Sequence, residues 1–293
     1  MGPARLVATF LPPLPREHWR RRTDALDPET SYEQVVRVVA QHEFPWDVQQ
    51  ALSFALFRTY AVPSIGGLLH ETRAFADDAQ RRHDDTVLLL AAPLESGLDS
   101  GEGRAAVRRI NRQHGHYDIA DEDLRYVLAA FVVTPVRWLE RYGWRRLTDT
   151  EVRASVRYYQ RLGALMGIPD LPADYAGFAR LLDDHEAEHV RPDPRTREVA
   201  DATMDLLCSF YPPPLRPAMR LFSVALLDPH LRDAFGYDAP PRAVVAAAHA
   251  GLRLRGRVVR WLPPRRLPRL TSDSSRIRSY PGGHLVEQLG AIP

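Results

Sequence analysis

The chain contains no lysine; all 39 of its basic residues are arginine. That excludes a Schiff-base lysine, a lysine nucleophile and the lysine of a phosphate-binding P-loop. There is one cysteine, Cys208, so neither an intrachain disulfide framework nor a zinc–cysteine cluster can form. No run reaches the roughly 18 apolar residues that a membrane-crossing helix needs. The opening segment MGPARLVATFLPPLPREHWRRR is broken by prolines and reads as neither a signal peptide nor a membrane span. Net charge is nearly absent as well. A formal +2 over 293 residues gives no electrostatic case for nucleic acid as a partner. The arginine, alanine and proline usage suits a GC-rich bacterial genome. The expectation is a soluble, cytoplasmic protein without a transmembrane segment, peripheral membrane contact being left open.

What is present is helical periodicity. SYEQVVRVVAQHEF and WDVQQALSFALFRTY read as two amphipathic helices around Pro45, and VPSIGGLLHETRAF continues after Pro63. DDAQRRHDDTVLLLAA reads as a helix stopped by Pro93, and RAAVRRINRQH as another. DEDLRYVLAAFVVTPVRWLERYG is the most apolar helix, with acidic residues in its first turn, a kink expected at Pro135 and an end at Gly143. Thr148 and Glu151 have capping-box spacing. Further helices are expected near 173–189, 194–210, 215–227 and 241–261. Strand-like alternation is scarce. The fold class is therefore all-α, a single globular helical domain: an N-terminal arm over 1–24, the domain over 25–262, and a C-terminal tail over 263–293 packed on it.

The segment RRINRQHGHY concentrates candidate chemistry. At about 100° per residue, Gly103, Val107, Ile110 and His114 share one helix face, while Arg108, Arg109 and Arg112 lie opposite. His114 ends the apolar stripe, and a continued helix would turn His116 toward the arginines. A histidine on an apolar face is more often a hydrogen-bonded core residue than a ligand, although neutral imidazole is a common axial ligand of haem iron. The arginines read either as partners for haem propionates or as a solvated face.

The run from RRINRQHGHY through PVRWLERYGWRRLTDTE resembles the family of the fungal oxygenase of mycophenolic acid biosynthesis and the bacterial rubber oxygenase, or latex-clearing protein. The likeness continues more weakly through LMGIPDLPADYAGFARLLDDHEAEHVRPDP and YPGGHLVEQLG, covering roughly residues 25–290. It implies an all-helical fold enclosing one haem b, with dioxygen as co-substrate and a small apolar organic substrate, unsaturated or isoprenoid-like. An electron donor stays open. By the same resemblance His114 is the iron ligand. Arg82 and Thr86, an i, i+4 pair in RRHDDT, are the catalytic candidates, a guanidinium for the pocket and a hydroxyl for dioxygen. Arg109, Asn111 and His116 complete the implied cofactor surround. Where rubber oxygenases carry a distal lysine, this chain has Asp85, which weakens the transfer of rubber cleavage more than that of haem binding.

Rival constellations are present. HEAEH, from His185 to His189, matches the H-E-x-x-H pattern of zinc peptidases. Its charged surroundings read as a solvated helix, and Glu198 lies close to a third-ligand interval without the rest of that pattern. Cys208 lacks the glycine-rich surround of a thiolate ligand loop and reads as core. His249 reads as a satisfied, buried histidine. Phe131, Val132, Trp138 and Phe222 are candidate pocket walls whose default role is packing. The arginine-rich end LRLRGRVVRWLPPRRLPRL reads as a solvated tail rather than a membrane contact. Three functional readings stand: a haem-dependent oxygenase, a haem-binding sensor or carrier without turnover, and a zinc hydrolase.

Overall fold

The computed structural model describes residue 12 and residues 14–290, so most of the proline-broken opening segment lies outside the described residues. Within them there are thirteen α-helices and no strand. In chain order these are α1 His18–Asp24, α2 Tyr32–Val38, α3 Pro45–Thr59, α4 Pro63–Glu71, α5 Ala74–Ser96 and α6 Gly101–His114. They continue as α7 Asp121–Tyr142, α8 Asp149–Leu165, α9 Tyr175–His189, α10 Pro194–Ser209, α11 Arg216–Leu226, α12 Pro229–Ala234 and α13 Arg242–Arg260. One π-helical turn, Val39–Glu43, extends α2.

Local chemistry starts and stops these helices. Prolines open α3, α4, α10, α11 and α12, where a missing N–H costs nothing. Ser100, Asp174 and Asp193 accept first-turn N–H groups of α6, α9 and α10. Thr148 and Glu151 form the expected reciprocal capping box of α8. The α5–α6 turn needs two glycines. Gly97 sits at φ +101°, and a Cβ on Gly103 would lie 2.0 Å from the Gly97 carbonyl.

The apolar pattern of α7 makes it the central helix. Every residue from Leu128 to Thr134 is buried, as expected for a helix enclosed on all sides. It packs with α3, α8 and α9 in the largest cluster, while α3 also joins α10 and α12 in a second. Trp138, Leu139 and Tyr142 continue α7 into a third cluster with Leu252 of α13.

One proline expectation is corrected, at Pro93, while the end of α7 before Gly143 is as expected. The helix predicted to stop at Pro93 runs on to Ser96, and α7 runs through Pro135 to Tyr142. An internal proline costs about 3 kcal/mol, and each buried large apolar side chain returns about 1.5–3 kcal/mol. Leu88 and Leu89 before Pro93, and Phe131, Val133, Trp138 and Leu139 around Pro135, are all buried, so packing outweighs the lost bonds.

HEAEH is also corrected. Rather than lying on a solvated helix, His185 and Glu186 are buried. Glu186 accepts from Arg58 Nε at 2.6 Å and Nη2 at 2.9 Å, from the Tyr126 hydroxyl at 2.9 Å, and pairs with His230 Nε2 at 2.8 Å. Arg58 also reaches Asp228. One carboxylate thus joins α3, α7, α9 and α12. Burial pushes the Glu186 carboxyl up, but hydrogen bonds from Arg58 and His230, the Arg58 charge and Tyr126 outweigh it and hold the carboxyl at about 2.

Glu186→Ala leaves the Arg58 guanidinium buried without its main partner, so urea denaturation should show a loss of about 3–5 kcal/mol. The Glu186 pKa is lower in the folded protein than in the unfolded chain. Its stabilisation is therefore complete above the unfolded carboxylate range and lost as pH falls from roughly 5 toward 2. Glu186→Gln should flatten that acid limb of the stability profile; an unchanged limb would assign acid sensitivity to other groups.

Candidate cofactor cavity

The last turn of α6, the first turn of α7, the linker between them, α4 and α5 enclose a cavity of about 290 Å³. Its walls are apolar where Ile65, Leu68, Leu69, Leu124 and Val127 face it, and polar where His114, Arg82, Gln113, Asp118 and Asp123 do.

His114 reaches the cavity because the stripe Gly103, Val107, Ile110 is the buried face of α6 and His114 continues it at the mouth. It is half-buried. Burial, and secondarily the Arg82 charge, push its imidazole below the ordinary histidine value. That direction favours the uncharged ring, the form that binds metal. No described residue makes a side-chain hydrogen bond to it, so both ring nitrogens are available.

Arg82 stands on a restarted helix. Asp78 leaves helical geometry at φ −154°, and its carboxylate accepts the Arg81 N–H at 2.9 Å, as an N-cap does. Arg82 lines the cavity and donates a short hydrogen bond to Thr86, one helical turn on, where the hydroxyl was expected to reach the pocket itself. The Thr86 hydroxyl in turn donates to the Arg82 carbonyl at 2.9 Å and does not line the cavity.

The other expected cofactor residues are directed elsewhere. Asn111 donates to the Leu165 carbonyl at 2.9 Å and ties α6 to the end of α8. His116 is exposed and turns back to the Arg112 carbonyl at 2.6 Å. Arg109 donates to the Leu289 carbonyl at 2.6 Å, while Arg108 and Arg112 are exposed. Phe131 and Val132 are core; Trp138 and Phe222 line a different cavity, shared with Cys208. His249 pairs with the Tyr142 hydroxyl at 2.6 Å.

A feature that sequence reasoning missed completes the cavity. Asp84 and Asp85, both buried, face the C-terminal segment rather than the cavity. Asp84 accepts the N–H groups of Arg278 and Ser279 at 2.9 Å each, and Asp85 accepts from the Tyr280 hydroxyl. Burial and that bond push the Tyr280 phenol up to about 12. Farther on, Leu289 accepts from Arg109 and Gln113, and Gly290 joins the cavity wall. Gly290 has φ +95°, and a Cβ there would lie 1.3 Å from Gln113 Nε2. The anchored look of YPGGHLVEQLG was the available signal. The doublet in RRHDDT carried none, because its partners lie about 195 positions away.

The zinc reading loses its geometry. Among the described residues no three histidine, cysteine, aspartate or glutamate side chains are arranged to hold a metal ion. Glu186 is engaged by Arg58, His185 Nε2 lies 3.3 Å from Asp123, and Glu198 pairs with His70.

An all-helical domain with a histidine and an arginine facing one apolar cavity is the class that fold and site define. Residues 48–261 match the family described as the ER-bound oxygenase mpaB/B' and rubber oxygenase catalytic domain, and the chain belongs to that family. It is 34% identical over 250 residues to the ER-bound oxygenase mpaB' of Penicillium brevicompactum, covering 79% of this chain and 59% of that protein. It is 34% identical over 232 residues to mpaB of the same organism, covering 73% and 59%. To mpaB of Penicillium roqueforti it is 32% identical over 222 residues, covering 70% and 74%. The chain thus spans about 59% of the length of the first two relatives.

These names correct the expectation of a cytoplasmic protein. All three relatives are ER-bound, and that expectation is withdrawn. No single helix among the described residues is long and apolar enough to cross a membrane; α3 and α4 pass only as a pair bent by 91°.

The tail contacts predict a local effect. Asp84→Ala leaves the Arg278 and Ser279 N–H donors without their acceptor, a loss of about 1–3 kcal/mol, so trypsin should cleave after Arg276 and Arg278 about tenfold faster while the helical circular dichroism is kept. Unchanged cleavage would show that the tail is held elsewhere.

Proposed function

We propose that this chain is a haem b-dependent oxygenase that uses dioxygen on a small apolar organic substrate. The observation carrying this reading is the His114 imidazole, which faces an apolar cavity shared with Arg82 and takes no side-chain hydrogen bond from a described residue. Family membership supports the oxygenase part. The residues fit the group. His114 supplies the nitrogen for iron, Ile65, Leu68, Leu69, Leu124 and Val127 supply apolar walls for the macrocycle, and Arg82 supplies a cation for a propionate or a polarised oxygen.

When bound, haem would supply the one-electron and dioxygen chemistry that no side chain of this protein provides. The chain's own residues do the rest. Burial favours the His114 ring without the proton that would compete with iron. Thr86 fixes the Arg82 guanidinium from one helical turn away, and that positioning replaces the direct contact with dioxygen expected of its hydroxyl. The apolar walls exclude water and favour an apolar substrate. An electron donor stays outside what the cavity specifies. Association with a membrane, carried by the printed names of the relatives, belongs to the same reading.

Purified protein should show a Soret band with one iron per chain and no stoichiometric zinc, and His114→Ala should lose most of the haem. Full haem retention in that variant would falsify the assignment. Oxygen consumption with unsaturated apolar compounds separates turnover from a sensor or carrier, which would give the same spectrum without consuming oxygen.

A further inference from the structure

Helix α13 has one buried face and one apolar face that no described element covers. Leu252 is buried against the end of α7. Gly256 lets the backbones meet, since a Cβ there would lie 2.5 Å from the Tyr142 carbonyl. The opposite face carries Ala243, Ala247, Ala250, Leu254, Val258 and Trp261, all within about 40° of one direction at 100° per residue. Leu254 is 59% exposed, Val258 53% and Trp261 86%. Arg253, Arg257 and Arg260 border this stripe along one side. All three are exposed and none has an ion-pair partner among the described residues. Between Asp238 and Asp273 the sequence has eight arginines and no acidic residue.

We propose that the outer face of α13 seats on an anionic lipid bilayer, its apolar stripe entering the headgroup boundary and its arginines pairing with lipid phosphates. An amphipathic helix with tryptophan and leucine on one face and arginine beside it is the composition that lies in a membrane interface. The absence of acidic residues makes the charge complementary to anionic lipid rather than to a second, equally basic copy of this face. The cavity of about 300 Å³ between α3, α10, α11 and α13 supports the orientation. Its wall includes Gly251, which is exposed beside the stripe, so an apolar molecule leaving the bilayer meets an apolar cavity at the docking face. The inference deepens the membrane part of the reading above by naming the surface, and it does not depend on haem.

The test is cosedimentation of the full chain with phosphatidylcholine vesicles, with and without phosphatidylglycerol. Binding should require phosphatidylglycerol and weaken with salt. Arg257→Ala and Arg260→Ala should each lower affinity roughly fivefold, from the contribution of one basic residue near an anionic surface. Leu254→Ser combined with Trp261→Ser should lower it at least tenfold. These residues are exposed, so circular dichroism should be unchanged. Wild-type affinity in these variants, or binding independent of phosphatidylglycerol, overturns the proposal. So does a wild-type dimer in sedimentation velocity that the double variant makes monomeric. A preserved Soret band with lost vesicle binding separates failure of this surface from failure of the haem assignment.

Discussion

The bidentate pair between Arg58 and Glu186 is the constraint on which the rest of the structure turns. Two charges taken out of water are tolerated only when the geometry is good and the remaining hydrogen-bonding capacity is used. Here Tyr126, His230 and Asp228 use it. The pair fixes the rotation of α9 against α3 and α7. That rotation stacks His185 on Tyr126 at 4.3 Å and brings it to Asp123, a residue of the cavity wall. Burial opposes ionisation of Asp123, yet the nearby His185 ring, 3.3 Å away, and Ser64 hold its carboxyl below the usual range. An ion pair in the core thus determines the charge facing the cavity two contacts away.

The same arrangement explains why one sequence pattern has two readings. In zinc peptidases the glutamate of H-E-x-x-H acts on water beside a metal. Here Glu186 is neutralised by an arginine 128 positions earlier, and His185 is a spacer between an aromatic ring and a carboxylate. The charged neighbours of HEAEH were visible, but its partner on α3 was not. A run of charges therefore looked like a wetted surface when it was the centre of a buried network.

Legibility followed the range of the interaction. Helix positions, the capping box and the face of His114 depend on residues within a few turns, and the sequence carried them well. Arg82 and Thr86 share a helix face by their spacing, but the family resemblance selected them, and only Arg82 lines the cavity. Asn111 and His116 were placed near the cofactor by the family resemblance, but single-residue steps rotate a side chain by about 100°. Asn111 consequently meets α8, and His116, past the helix end, folds back on Arg112. Arg109 faces away from the cavity yet shapes it by holding Leu289. The roles of Asp84 and Asp85 needed the tail, which no local pattern could bring to them.

The tail gives the cavity a history as well as a shape. Apart from Gly290, its wall is drawn from residues 64 to 127, an early block of the polypeptide. The remaining piece is fastened through Gln113 to a carbonyl 176 positions later. During synthesis that block emerges long before the closing segment, so the wall is complete only once residue 290 has been made.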